Sequence, residues 1–140
     1  GIVRLLTGLG PHFNPPGAPM HLITVASTSS YRMRTNETLY CMLKAAKAAF
    51  TRQYAKELAL AIPGSMTTLV NPGGMDTDFL KSVGVDTTGY QKPDYIAGII
   101  WDEMTKQQAA SKPFEEVNLL RQTDGTVLRT YGPQTPELPF

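Results

Sequence analysis

Two short, β-rich apolar runs on either side of one long helical pattern constrain the fold of this chain more than any other feature. The first run is HLITVAS (His21–Ser27) and the second is MTTLVN (Met66–Asn71), and both are bounded by Pro, Gly, Ser or Thr. Between them, from Thr35 to Pro63-Gly64, apolar residues recur at helical spacing. Strands that alternate with helices of this length predict an α/β layer structure with a parallel sheet.

The long helical segment has a predicted start and a predicted apolar face. Thr35 or Asn36 can cap it, and Glu37 lies in the first turn. Its predicted stripe comprises Leu39, Leu43, Ala46, Phe50, Tyr54 and Leu58. The other predicted elements are a helix end at Ile2–Leu9, a helix at Pro93–Gln108 with the stripe Ile96, Ile99, Ile100 and Met104, and strands or a hairpin in FEEVNLL and GTVLRTYG.

Length and composition indicate a single globular domain. The chain has 140 residues, of which 41% are hydrophobic and 18% charged, and its formal net charge is +1. The Lys and Arg residues are scattered, so we expect no nucleic-acid partner, and no apolar run has the roughly 20 residues of a transmembrane helix. A single cysteine, Cys41, excludes an internal disulfide and favours a reducing compartment such as cytoplasm or an organelle matrix. Cys41 is expected to be a small packed residue, and no Cys/His spacing predicts a metal site.

Tyr40 and Lys44, in the stretch YCMLK, are four positions apart on the predicted helix. This spacing places their Cβ atoms about 5–6 Å apart on one helix face, where an ammonium favours a neighbouring phenolate. Taken alone, the pair is better explained as part of a solvated helix surface, because Tyr and Lys are common there and Y-x-x-x-K is a short pattern. However, Ser27 stands at the carboxyl end of the first predicted strand, and NPGGMDT, with the Thr77 hydroxyl at a predicted helix start, follows the second. Ligand sites of open parallel sheets lie beyond those strand ends.

With these pieces in this order, the sequence resembles the short-chain dehydrogenase/reductase family. The matching segments are ITVASTSS for the serine-bearing strand, YCMLKAAKAAFTRQYAKELA for the Y-x-x-x-K helix and TTLVNPGGMDTDF for the P-G-x-x-x-T loop. They cover about Leu22 to Phe79, and the later part of the chain is loosely like small carbonyl-reductase-like members. The resemblance implies an NAD(P)-dependent oxidoreductase acting on a carbonyl or secondary alcohol, with NAD or NADP as cofactor.

The resemblance also implies roles for individual residues. Tyr40 would be the general acid or base, Lys44 would favour its deprotonation and bind the nicotinamide ribose, and Ser27, or alternatively Thr28, would polarise the substrate carbonyl. The residues that would bind the cofactor are Tyr40, Lys44, Pro72, Gly73, Gly74, Met75 and Thr77. The segment between Asp78 and Pro93 would form a flap over an apolar-lined substrate pocket.

The sequence departs from the family pattern at its amino-terminal end. The phosphate-binding loop T-G-x-x-x-G-x-G is absent: Thr7-Gly8 matches its first two residues, but His12 and Asn14 occupy the positions of its later glycines. Residues 1–140 are therefore expected to be the carboxyl-terminal half of one Rossmann-type, doubly wound domain that lacks its first strands, with the other half on the same or another chain.

Two expectations concern partners. The AAKAAF face of the Tyr40-bearing helix is small and apolar and would suit close helix packing, and the resemblance implies a homo-oligomer formed through this helix. Trp101 is expected in the core or in a subunit contact. The alternative function is a non-catalytic, short-chain-dehydrogenase-like structural subunit of a larger assembly.

Overall fold

The computed structural model describes residues 17–135, which form four strands and three α-helices. The strands are β1 (His21–Val25), β2 (Met66–Pro72), β3 (Phe114–Arg121) and β4 (Val127–Tyr131). The helices are α1 (Thr38–Ala61), the short α2 (Asp78–Ser82) and α3 (Pro93–Ala109). A 3-10 turn at Thr28–Ser30 directly follows Ser27, and we call Ser27–Ser30 the serine turn.

The strands form one open, mostly parallel sheet in the order β1-β2-β3-β4. β1 pairs in parallel with β2, and β2 in parallel with β3, so the carboxyl ends of all three lie at the same edge. β4 returns antiparallel to β3, which confirms the hairpin predicted from FEEVNLL and GTVLRTYG. The fold is α/β, as the alternation of periods predicted.

Helices α1 and α3 cover opposite faces of the sheet. Leu69 packs with Ala48 of α1, whereas its neighbour Val70 packs with Ile96 and Ile99 of α3. Consecutive residues of a strand point to opposite faces, so this alternation separates the two helices. The predicted stripe of the Pro93 helix is confirmed: Ile96, Ile99 and Met104 are buried and Ile100 is partly buried.

Two predictions for α1 are wrong. Neither Thr35 nor Asn36 is the cap, because the helix begins after Glu37, which makes no side-chain cap bond, and Asn36 has a left-handed φ of 64°. The amino-terminal half of the predicted stripe is exposed, with Leu39 at 72% and Leu43 at 62% of their full accessibility. The buried residues of α1 are instead Ala48, Thr51, Ala55 and Leu58, because the sheet lies beneath only the later turns of the helix.

Three further expectations have different outcomes. Trp101 is 67% exposed, so its predicted place in the core of this chain is wrong, while a subunit contact stays a prediction. Cys41 is only half-buried. The predicted helix end at Ile2–Leu9 and the Thr7-Gly8 segment lie outside the described residues. Between residues 17 and 135, no helix is both long and apolar enough to cross a membrane.

Among the described residues, β1 lies at the edge of the sheet and one of its faces is uncovered. Thr24 and Ala26 are buried on the side of α1, but Ile23 and Val25, which point to the other side, are 38% and 37% exposed. Helix α3 packs against β2 and β3, and therefore leaves this part of the sheet open.

Candidate active site at the carboxyl ends of the parallel strands

The serine turn begins where β1 ends. The Ala26 amide makes a last bond to the Val70 carbonyl at 2.8 Å, and the chain then turns, with the Ser30 amide donating to the Ser27 carbonyl at 2.9 Å. Ser27 caps this turn, because its Oγ accepts a hydrogen bond from the Ser29 amide at 3.1 Å. The hydroxyl hydrogen of Ser27 remains free to donate to another acceptor.

Thr28, the alternative to Ser27, is more deeply buried. Thr28 is 1% exposed, compared with 8% for Ser27. The Thr28 Oγ1 has no hydrogen-bond partner within residues 17–135. Both hydroxyls therefore retain hydrogen-bonding capacity at the end of β1, but only that of Ser27 is oriented by a backbone bond.

Helix α1 places Tyr40 and Lys44 beside this strand end. The Lys44 Nζ lies 5.4 Å from the centroid of the Tyr40 ring and donates to the Ala26 carbonyl at 3.0 Å. Burial lowers the pKa of Lys44, because few water molecules can solvate its charge. Tyr40 is 43% exposed, and α1 packs against the serine turn. The predicted pair thus shares one site, next to the residue that precedes Ser27.

A second lysine, which the sequence did not single out, lies beside the first. The Lys47 Nζ donates to the Val25 carbonyl at 3.1 Å, one residue before the carbonyl that Lys44 binds. Burial, and secondarily the charge of Lys44, lower the pKa of Lys47. Two ammonium groups therefore bind successive carbonyls at the end of β1 and give this edge of the sheet a positive charge.

The loop Pro72–Thr77 leaves the end of the neighbouring strand. The Gly73 amide donates to the Leu119 carbonyl at 3.0 Å, and Met75 forms an isolated bridge with Gln91. Thr77 caps α2, since its Oγ1 accepts from the Leu80 amide at 3.4 Å, which confirms the helix start predicted there.

Gly74 is required by a close approach of Tyr90. A Cβ atom built on Gly74 would lie 2.4 Å from Cε2 of the Tyr90 ring, closer than any ordinary contact. The other partner of that ring is the guanidinium of Arg121, whose Cζ lies 4.4 Å from the ring centroid. Tyr90 therefore covers Gly74 on the side to which a side chain would point, and only the Gly74 backbone is left for contact with a ligand.

Asp76 was missed by the sequence analysis, although it lies between Gly74 and Thr77. Its carboxylate binds Lys81 Nζ at 2.7 Å, Lys92 Nζ at 2.5 Å and Thr87 Oγ1 at 2.7 Å. Hydrogen bonds to these lysines, above all Lys81, hold the pKa of Asp76 well below its usual range. The sequence around Asp76 does not indicate that its carboxylate binds several side chains, because the residues that it binds are distributed over the following loop.

A buried polar network lies behind the serine turn and was also missed. The Glu116 side chain, 2% exposed, accepts two bonds from Arg52 of α1, at 2.8 and 2.7 Å. Asn71 Nδ2 donates to Glu116 Oε1 and to Asn118 Oδ1, both at 3.0 Å. The signal in the sequence is the alternation of Glu116 and Asn118 with apolar residues in FEEVNLL, which places both on one face of β3.

Two further observations concern the surface away from the strand ends. The described part of the chain has no group of three His, Cys, Asp or Glu residues that could hold a metal ion. A shallow apolar groove of about 300 Å³ lies near Arg52, Leu60 and Phe114. Phe114 begins β3, so this groove is at the end of that strand remote from the serine turn.

No protein-family model matches this chain, and no curated protein matches its sequence.

The structure thus brings some predicted residues together and leaves others apart. Tyr40 and Lys44 are in contact, and Lys44 reaches the strand end that leads into Ser27. Within residues 17–135, no hydrogen bond joins the hydroxyls of Tyr40 and Ser27. The Pro72–Thr77 loop leaves the adjacent parallel strand at the same edge of the sheet.

Proposed function

We propose that this chain carries the proton-transfer residues of an NAD(P)-dependent oxidoreductase that interconverts a carbonyl and a secondary alcohol, on a Rossmann-type sheet like that of short-chain dehydrogenases/reductases. One observation carries the proposal: the Lys44 ammonium lies between the Tyr40 ring and the carboxyl end of β1, next to Ser27. Ligand sites of open parallel sheets lie at this edge, and there the phenol can act as the proton donor, the serine hydroxyl as a hydrogen-bond donor to the carbonyl oxygen, and the cation as a stabilising charge.

In the reductive direction, Tyr40 donates its hydroxyl proton to the substrate oxygen as the carbonyl carbon is reduced. The resulting phenolate is stabilised by the positive charge of Lys44. Ser27 donates its free hydroxyl hydrogen to the same oxygen and polarises the carbonyl. In the oxidative direction, the Tyr40 phenolate accepts the proton from the alcohol.

The described residues fit the nicotinamide end of such a cofactor, which supplies the hydride when bound. One of the three N–H donors of Lys44 binds Ala26, so two remain for ribose hydroxyls. Thr77 accepts the Leu80 amide and keeps its hydroxyl hydrogen for a phosphate or amide oxygen. We therefore propose Lys44, Thr77 and the backbone of Pro72–Met75 as the cofactor contacts of this region.

The second candidate is a structural subunit without turnover, and an exposed apolar surface supports it. Leu39, Met42 and Leu43, which surround Tyr40 on α1, are 72%, 56% and 62% exposed. An apolar surface of this kind is typical of a protein interface. Turnover measurements on the native protein distinguish this candidate from the enzyme.

The decisive experiment is Tyr40→Phe in the native protein, screened against carbonyl and alcohol substrates with NADH and NADPH. The substitution removes the transferable proton and keeps the ring, so kcat should fall by at least about 10², the typical contribution of a general acid or base. Titration with the reduced cofactor should still show binding. Lys44→Ala should reduce both turnover and cofactor affinity.

Tyr54→Phe is the matched control, because Tyr54 lies on the same helix and stacks on Phe50 with ring centroids 5.4 Å apart. It should retain normal turnover. Near-normal turnover in Tyr40→Phe would exclude the catalytic role. A native protein without any turnover would favour the structural subunit.

A further inference from the structure

An unbroken path of hydrogen bonds joins the helix that carries Tyr40 and Lys44 to the turn that carries Ser27. It runs from Arg52 of α1 to Glu116 of β3, then to Asn71 at the end of β2, and then to Ser30. The last link is a bond from the Ser30 Oγ to Asn71 Oδ1 at 3.3 Å. Ser30 in turn binds the Ser27 carbonyl through its own amide. The path therefore crosses three elements and ends at the proposed catalytic serine.

The interior of this network is buried, and the hydrogen-bonding groups of Asn71 are all engaged. Asn71 and Asn118 are fully buried, and Glu116 is 2% exposed. Both N–H groups of the Asn71 amide are engaged, on Glu116 and on Asn118, so its oxygen can face only the serine turn. A buried carboxylate is costly unless it is paired, and the two bonds from Arg52 provide that pairing. These hydrogen bonds consequently hold the side chains of the network in one arrangement. Apolar residues at the same positions could fill the core, but they would not fix the side chains in this way.

We propose that Arg52, Glu116 and Asn71 are positioning residues that set the serine turn, and with it the Ser27 hydroxyl, at a fixed place relative to α1. This inference rests on the proposed function, because a fixed position of the Ser27 hydroxyl matters for turnover only if Ser27 and Tyr40 bind the same substrate. Asn71 also immediately precedes Pro72, so the same side chain links the serine turn to the start of the proposed cofactor loop.

Ser30→Ala in the native protein cuts the path at its last link without placing a charge in the core. We expect kcat to fall on the order of tenfold to a hundredfold, the range that a small displacement of a catalytic group produces, with KM for the substrate little changed. Amide exchange at Ser29, whose N–H is held by Ser27, should become faster. Ser30→Thr, which restores a hydroxyl, should recover both properties.

Arg52→Lys tests the other end, because lysine keeps the charge but cannot form the two parallel bonds of the guanidinium. It should show the same fall in kcat and the same faster exchange at Ser29, although Arg52 is remote in sequence from the turn. Gln53→Ala is the control, since Gln53 is the next residue of α1 and binds Glu57 on the exposed side.

The outcomes separate this inference from the proposed function. The positioning role would be overturned if Ser30→Ala and Arg52→Lys had normal kcat and unchanged amide exchange at Ser29. The catalytic role of Tyr40 would still be tested separately by Tyr40→Phe. A fall in kcat that Ser30→Thr did not recover would also overturn it. A native protein without turnover would remove the catalytic purpose of the network together with the proposed function.

Discussion

At the residue scale, His21 shows how a neighbouring bond can fix the state of a titratable group. The Thr68 hydroxyl uses its hydrogen on Gln107 Oε1, so its oxygen accepts from the His21 Nε2, 2.7 Å away. The other ring nitrogen, Nδ1, is buried and has no partner among residues 17–135. A proton added there would bury an unpaired N–H with a charge, and burial accordingly lowers the pKa of His21.

This arrangement predicts a pH dependence of stability. A histidine whose folded pKa lies below its unfolded value stabilises the fold fully above about pH 6.5, and that contribution decreases as the pH falls towards the folded value. The free energy of unfolding of the native protein should therefore decrease as the pH falls below about 6.5. Denaturant titrations at several pH values should show this slope, and His21→Gln should remove it. A His21→Gln variant with the same slope as the parent would show that other groups produce it.

At the scale of elements, the loop between β2 and α3 is fastened at its base. Met75 pairs with Gln91, the Asp76 amide donates to the Gln91 carbonyl at 2.9 Å, and the Asp76 carboxylate binds Lys92 at the start of α3. Lys81 and Thr87, within the loop, bind the same carboxylate. The segment proposed as a substrate flap thus has a closed neck, while Phe79 and Val83 on it are 68% and 60% exposed.

Asp76→Asn should open this neck. The amide cannot pair with the two lysines, so amide exchange and proteolytic cleavage within residues 77–91 should become faster, while exchange in the sheet is unchanged. In the parent protein, the pKa of Asp76 is lower in the folded state than in the unfolded state. The stabilisation by its carboxylate is therefore complete above about pH 4 and is lost only as the pH falls through the lowered pKa of the folded state.

The matched control is Asp86→Asn, in the same loop, because Asp86 binds the Thr88 amide only two residues along the chain. Equal exchange in the Asp76 and Asp86 variants would contradict a special role for the neck.

At the scale of the whole molecule, the sheet formed by residues 17–135 has an open edge at β1 and an uncovered apolar face there. Ile23 and Val25 are the exposed residues of that face. An edge strand with exposed apolar residues can pair with another strand. We propose that a further parallel strand and its helix, from the same or another chain, cover this part of the sheet, as the Rossmann-type arrangement requires.

We therefore expect residues 1–140, expressed alone, to bind a hydrophobic dye and to unfold over a broad temperature range without measurable NAD(P)H affinity. Replacing Ile23 and Val25 together by Thr should reduce dye binding to the isolated chain, but should destabilise the native protein in which the face is covered. A sharp thermal transition of the isolated monomer, with micromolar NAD(P)H affinity, would contradict the proposal.

The sequence by itself determined the features that depend on neighbouring residues. The periods of HLITVAS, MTTLVN and the Pro93 helix predicted β1, β2 and α3, and the i, i+4 spacing of Tyr40 and Lys44 brought these two side chains together. Backbone geometry sets such relations within one or two turns, so they can be read from the chain directly.

Only the tertiary structure decided which half of α1 is buried and which distant polar groups meet. Leu39 and Leu43 follow the helical period as well as Leu58 does. However, the sheet lies beneath only the later turns of α1, so these two leucines remain exposed. The Arg52–Glu116 pair spans 64 residues and the Asn71–Glu116 pair spans 45. Contacts of this kind arise from strand register and from the placement of α1 across the sheet, which no local periodicity encodes.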